Sequence, residues 1–378
     1  MHFPPVTSYW LLITMTSRFL RLIDWSLLEF TAPLMIAGLV TMKSFDGGSD
    51  YFFWRQLLWV GVGISVFISA SNIDWRIFNS GFIIFIYLGG LAVLLLLLIF
   101  SESSWFRWSA FAIQPSEPMK IFTALVLAKY FSRRHIEIAH LRHILVSAMY
   151  AFIPALLIFF QPDLGSAITF GILWFGMVLI SGVSKRHLAA LFILAAAVSI
   201  AGWFWFLEPY QKLRITTFLN PYIDPQGAGY NALQAQIAVG SGGLFGRGIG
   251  YGSQSRLEFL PEHETDFIFA AFAEEWGLIG SLILLTFFML LIWYILFSKA
   301  RSSGNFANFY SVGIALILIA HFVFHVGMNV GLLPITGLPL SFMSYGGSHM
   351  VSLFFGLGIL SNMRKFSYNI AALEEDSA

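Results

Sequence analysis

The residues best suited to chemistry stand where a polar stretch meets a long apolar one. In Phe259-Leu260-Pro261-Glu262-His263-Glu264-Thr265-Asp266-Phe267-Ile268-Phe269, acidic groups lie directly against an apolar run that continues to Phe297. Asp266 therefore falls at a helix mouth, where burial raises a carboxyl pKa and the helix dipole lowers it. A carboxylate poised between the two can serve as a general base. Capping the helix that follows is the competing explanation. Glu274 and Glu275 lie deeper in the same run, which supplies no Lys or Arg, so each needs a partner from elsewhere or a proton.

Gln114-Pro115-Ser116-Glu117-Pro118-Met119-Lys120 reads as a helix start, with Pro115 and Pro118 in the first turn and Ser116 able to cap its amides. Glu117 and Lys120 then share a face at i, i+3. The pair is either a structural salt bridge or a polar wall of a substrate cavity, since intramembrane charges face a cavity or a partner helix. Asp163, in Gln161-Pro162-Asp163-Leu164-Gly165-Ser166-Ala167, fits the cap or first turn of a helix, which explains it adequately, and it stands beside this as a candidate substrate contact. Helices break around Pro334, Thr336-Gly337-Leu338-Pro339 and Ser344-Tyr345-Gly346-Gly347-Ser348. Irregular backbone at membrane depth is tolerated inside protein or beside a watery cavity, which makes Ser344 a candidate substrate contact. His321 and His325, at i, i+4, and His349 are of metal-ligating type. With no carboxylate near them in sequence they read instead as packed or hydrogen-bonded.

A long stretch, 208–264, carries turn formers over 220–229, a short amphipathic helix over Asn231 to Val239, and then Gly240, Gly242, Gly243, Gly246, Gly248, Gly250 and Gly252. Such glycine density lets backbone approach a ligand or another helix, and it matches neither GxGxxG nor GxxxxGK. A connection of this length is usually functional or a lid.

These groups need elements to hold them. The chain has 378 residues, is 58% apolar and only 11% charged, so its solvent is lipid. A net charge of +1 gives no basic face for nucleic acid, and the absence of cysteine excludes disulfides and thiolate metal sites. Crossing the hydrocarbon takes roughly 20 apolar helical residues. The pattern offers about ten such segments, near 24–44, 51–71, 77–100, 117–133, 143–160, 164–183, 187–207, 265–298, 308–332 and 342–363, the fourth being short and polar at its start. Arg18 and Arg21, Arg76, Arg133, Arg134 and Arg142, Lys185 and Arg186, Lys299 and Arg301, and Arg364 and Lys365 then all fall on one side, which the positive-inside rule makes cytoplasmic. The expectation is an all-α polytopic membrane protein with both termini cytoplasmic and the long loop 208–264 extracytoplasmic between spans seven and eight. Residues 1–23 read as an interfacial N-terminal segment, 24–365 as the transmembrane domain and 366–378 as a short, frayed cytoplasmic tail.

The motifs Gln114 to Glu117, Gln161 to Asp163, Asn220 to Tyr230, Leu260 to Asp266 and Gly337 to Gly347, in this order and on this side, resemble the signatures of the SEDS family of RodA and FtsW, from about Asp24 to Arg364. The run Gly240-Ser241-Gly242-Gly243 with Gly246 and Gly248 is more similar to the elongation branch, RodA, than to the division branch, FtsW. The resemblance implies a ten-span peptidoglycan glycosyltransferase of the bacterial inner membrane. It would polymerise undecaprenyl-linked lipid II on the extracytoplasmic face, beside a class B penicillin-binding protein and other elongation-complex membrane proteins. It also implies that Asp266 is the essential acid, as general base or as the holder of a divalent cation (Mg or Mn), no other cofactor being called for. Glu117 and Lys120 would belong to the polar cavity, and Lys120, Arg214 or a metal would offset charge on the leaving diphosphate. Three positions depart from the pattern: Glu264 stands for the usual His before Thr-Asp, Ser341 for Pro, and His349 for a small residue. A lipid-precursor flippase or transporter and a non-catalytic scaffold of wall synthesis are the alternatives. Against transport, the ionisable residues gather at one face and no inverted repeat is evident.

Overall fold

The computed structural model describes residues 23–45, 50–101, 103–108, 111–134, 141–257, 259–298 and 304–375. The interfacial segment read over 1–23 lies outside them apart from Ile23, as do Lys299 and Arg301.

Helices occupy every apolar segment expected. They are α1 Ser26–Ser44, α2 Tyr51–Ser71, α4 Phe82–Phe100 after the single turn α3 Arg76–Asn79, α5 Ser116–Arg134, α6 Leu141–Phe159, α7 Leu164–Ile180, α8 Lys185–Ala201, α12 Ile268–Phe297, α13 Asn305–Asn329 and α14 Gly347–Glu375. The long connection is itself folded, into α9 Pro209–Leu219, α10 Ala228–Ser241 and the single turn α11 Ser253–Arg256. Among the described residues, seven helices are long and apolar enough to cross a membrane: α1, α2, α4, α6, α8 with its π-helical extension Gly202–Phe206, α12 and α13. The chain is a polytopic helical membrane protein. The last helix continues to Glu375, so the backbone beyond Lys365 carries on the helix where a frayed tail was expected.

The weakest apolar segment turns out to be central. Helix α5 packs against α4, α6, α7, α13 and α14, and Met119, Ile121, Ala124, Leu125, Leu127, Ala128 and Phe131 are buried. Its surroundings are other helices, so it does not need an apolar exterior and can carry Glu117 and Lys120. Helix α8 is the converse: it is apolar throughout and buries none of its residues.

Between α4 and α5 the strands Phe106–Trp108 and Phe111–Ile113 form an antiparallel hairpin, the exception among the described residues to the all-α expectation. Three residues per strand are too few for an alternating pattern to register in sequence. Ser348 at the start of α14 ties the hairpin down, its hydroxyl accepting from Gln114 N at 3.1 Å and donating to Ala112 O at 3.3 Å.

The glycine-rich run approaches a helix. Helix α12 breaks at Gly277, whose φ is +69°, and the loop after α10 fills the gap. Arg247 N and Gly248 N donate to the carbonyls of Glu274 and Glu275, while Leu278 N and Ile279 N donate to the carbonyls of Gly243 and Leu244. A Cβ on Gly242 would stand 2.1 Å from Ala273 O, and one on Gly277 2.2 Å from Gly246 N, so side chains are excluded here by contact. The deep carboxylates find their partners in the same loop. Glu274 Oε1 accepts from Gln254 N at 3.1 Å and Ser253 Oγ at 3.2 Å, and Glu275 Oε1 accepts from Gly250 N at 2.9 Å.

At the other end of the bundle, Arg364 of α14 donates to Asp24 Oδ2 at 2.8 Å and to the carbonyls of Tyr294 and Ile295. Tyr294 adds its hydroxyl to Asp24 Oδ1 at 2.6 Å, so the N-terminal edge of α1 is fixed to α12 and α14.

Candidate active site

The motif segments converge on one cleft of about 900 Å³, whose walls include Asp266, Glu262, Glu264, Asp163, Gln114, Arg214, Arg55, Gly337, Pro339 and His349. Asp266 precedes α12 without capping it, because the N-cap is Phe267 and no side chain caps the helix. Its backbone is fixed instead. Glu262 O accepts from the amides of Thr265, Asp266 and Phe267, and Asn329 Nδ2 donates to Asp266 O at 3.1 Å while Asn329 Oδ1 accepts from Ala270 N. The carboxylate is left facing the cleft. Protein surrounds it on every other side, and burial pushes its pKa up to about 6. Glu262, Glu264 and Asp163 add to the rise and Arg214 opposes it.

Asp163 does cap α7, accepting from Ser166 N at 2.9 Å, and its other oxygen accepts from Gln114 Nε2 at 2.8 Å. It lines the cleft as well, with a pKa raised chiefly by burial. Ser344 does not belong to the cleft wall: its hydroxyl donates to Thr265 O at 2.8 Å and accepts from Leu340 N at 2.8 Å. It braces the segment that carries Asp266.

Glu117 and Lys120 pair at 2.8 Å, both buried. They lie behind the wall of the cleft, and the group that reaches the cleft from them is His349, whose Nδ1 is 2.7 Å from Glu117 Oε2. Lys120 Nζ also meets His321 Nε2 at 2.9 Å, and His321 Nδ1 faces Pro339 O at 3.0 Å. A carbonyl only accepts, so Nδ1 of His321 carries the proton and Nε2 accepts from the ammonium. His325 Nδ1 donates to Leu338 O at 2.9 Å in the same manner. The carboxylate missing from the sequence around the histidines is thus Glu117, brought in from α5. Among the described residues, Glu117, His321 and His349 are the compact ligand-type group, their atoms within 4.8 Å of one another. The Lys120 ammonium already occupies the position between Glu117 and His321, so the cluster is a charge-balanced network and its fit to a metal is poor.

Arg214 lines the cleft, and Arg55 of α2, with its guanidinium over the Tyr51 ring and bonded to the Tyr51 hydroxyl, lies in the same wall. Arg55 and Asn329 were not singled out in the sequence. The available signal was their setting, a charge one turn into an apolar helix and a lone amide at the end of another.

Residues 18–369 match the FtsW/RodA/SpoVE model, described as cell cycle protein. Peptidoglycan glycosyltransferase MrdB of Escherichia coli strain K12 is 34% identical over 346 residues, covering 90% of this chain and 93% of that one. A solved peptidoglycan synthase complex in which polymerization and crosslinking are coordinated superposes with a TM-score of 0.77 at 29% identity, covering 92% of this chain and 98% of that one. The rod shape determining protein RodA of Thermus thermophilus follows with a TM-score of 0.68 at 26% identity and the same coverage. The chain belongs to the FtsW/RodA/SpoVE family, the SEDS family that its motifs resemble.

Proposed function

We propose that the protein is a peptidoglycan glycosyltransferase that joins lipid II disaccharides by β-1,4 linkage during cell elongation, with Asp266 as general base. The observation that carries this reading is a carboxyl raised to about 6, in the wall of a cleft large enough for sugar, and not engaged in helix capping. The 4-hydroxyl of the acceptor GlcNAc attacks C1 of the donor MurNAc, its proton passes to Asp266, and undecaprenyl diphosphate leaves with inversion. Arg214 and Arg55 face the cleft and supply positive charge for the diphosphate. Lys120, expected to share that work, is engaged with Glu117 and His321 behind the wall. A Mg or Mn ion would be held at Asp266 and would supply charge neutralisation there, although Asp266, Glu262 and Glu264 do not form a compact ligand group among the described residues.

The rest of the reading follows from charge and kinship. The distribution of Lys and Arg supports ten spans in the bacterial cytoplasmic membrane with both termini inside and the cleft outside. The solved complex supports a crosslinking partner, a class B penicillin-binding protein. The test is purified protein with that partner, given lipid II in detergent and in vesicles. Glycan ladders are the expected product. Lipid II crossing the bilayer without polymer contradicts the proposal in favour of a flippase, and neither product favours a scaffold.

A further inference from the structure

The buried groups behind the cleft form a closed circuit. Pro339 O accepts from His321 Nδ1 at 3.0 Å, and His321 Nε2 accepts from Lys120 Nζ at 2.9 Å. Lys120 donates to Glu117 Oε1 at 2.8 Å, and Glu117 Oε2 meets His349 Nδ1 at 2.7 Å. His349 Nε2 then lies 3.2 Å from Ser341 Oγ. Ser341 is two residues from Pro339, so the circuit returns to the stretch of chain it left.

That stretch is irregular backbone between α13 and α14, and it faces Asp266. Gly337, at φ +75°, stands where a Cβ would be 3.7 Å from Asp266 Oδ2, and Gly337 and Pro339 both line the cleft. Backbone outside a helix has no ladder of its own to hold it, so side chains must fix it. We infer that His349 and Ser341 are positioning residues that close this circuit and hold the 337–341 strap at its distance from Asp266. The inference rests on the glycosyltransferase reading for its effect on rate, though the circuit itself does not.

Two further observations favour holding over packing alone. Glu117 is 4% exposed, so without His349 its second oxygen would lie buried with a donor removed, a costly state for a carboxylate. The His349 and His321 rings stack at 4.4 Å with an interplanar angle of 25°, which fixes both nitrogens of His349 in direction. Ser341, His349 and Glu117 also have the order of a nucleophile, its base and the group that orients the base. Ser341 is fully buried and is not part of the cleft wall, which assigns it to holding and not to attack.

The experiment compares His349→Gln, which keeps a donor and an acceptor, with His349→Phe, which keeps the ring and its stacking and loses both. In lipid II polymerisation with the partner present, His349→Gln is expected within about threefold of the parent, and His349→Phe to lose about tenfold or more in kcat with KM changed less than about twofold. Equal activity of the two variants overturns the inference. So does labelling of Ser341 by a fluorophosphonate. Thermal melting of Ser341→Ala, His349→Phe and the double variant reports on the circuit without any assay of activity. The double variant is expected to lose no more than His349→Phe alone, and additive losses overturn the inference. Should the parent make no polymer, the functional reading fails while the melting cycle still decides this one.

Discussion

Asp266 is available for proton transfer because the helix it precedes starts two residues later and is capped by neither its side chain nor any other. Its raised pKa gives two expectations of defined sign. A general base works only when ionised, so polymerisation should fall about tenfold per pH unit below about 6 and be flat well above it. Because the folded value lies above the ordinary 3.8, the folded state holds this proton more tightly than the unfolded chain does, and the group's contribution to stability is lost as pH rises from about 4 through about 6. Asp266→Asn should therefore melt a few degrees higher, about 2 to 4 °C, at pH 7.5 and unchanged at pH 4. The sequence showed that Asp266 was poised between burial and a helix end. It could not show that Phe267 intervenes as the cap, since helix starts are blurred by a residue or two in any pattern. The network around Glu117 was illegible for a different reason: its partners His321 and His349 lie in α13 and α14, and no local spacing encodes that contact.

At the level of elements, the break in α12 is the feature on which the packing of the 242–256 loop depends. Gly277→Ala would place a methyl 2.2 Å from Gly246 N at a φ of +69°, with backbone and not a flexible side chain in the way. We expect a loss of about 3 kcal/mol or more in stability, read as a fall in melting temperature. Glu274→Ala removes the acceptor of Gln254 N and Ser253 Oγ. It should cost about 1 to 3 kcal/mol and open the 242–256 loop to limited proteolysis. Here the sequence offered two readings of the glycines, approach to a ligand or to a helix, and only the fold decides for the helix. The same fold gives Glu274 and Glu275 the partners their own span lacks, because loop amides reach them. The helices of the apolar segments were legible, since apolar runs of this length admit little else in lipid, whereas α9 in the long connection was not foreseen. The hairpin at Phe106 to Ile113 was not, being too short to carry a period.

For the whole molecule, orientation is the claim that charge distribution carries and that geometry alone does not. The chain has no cysteine, so single introduced thiols report without background. Tyr222→Cys, in the exposed long loop, should react with an impermeant maleimide added to intact cells stripped of their outer layers. Lys185→Cys, at the exposed start of α8, should react only after permeabilisation, and the reverse pattern would invert the topology. Among the described residues, the seven helices long and apolar enough to span, the shorter apolar α7, and α5 and α14 together form one bundle, with the most polar of them at its centre. The arrangement gathers the acidic groups of two separate segments, Asp163 from one and Glu262, Glu264 and Asp266 from the other, into one cleft. The decisive measurement is lipid II polymerisation by purified parent and Asp266→Ala, each with the proposed penicillin-binding partner and each verified to be folded. Glycan polymer is expected from the parent and a loss of at least about 100-fold in the variant, and polymerisation by Asp266→Ala at the parent's rate would rule out Asp266 as the base.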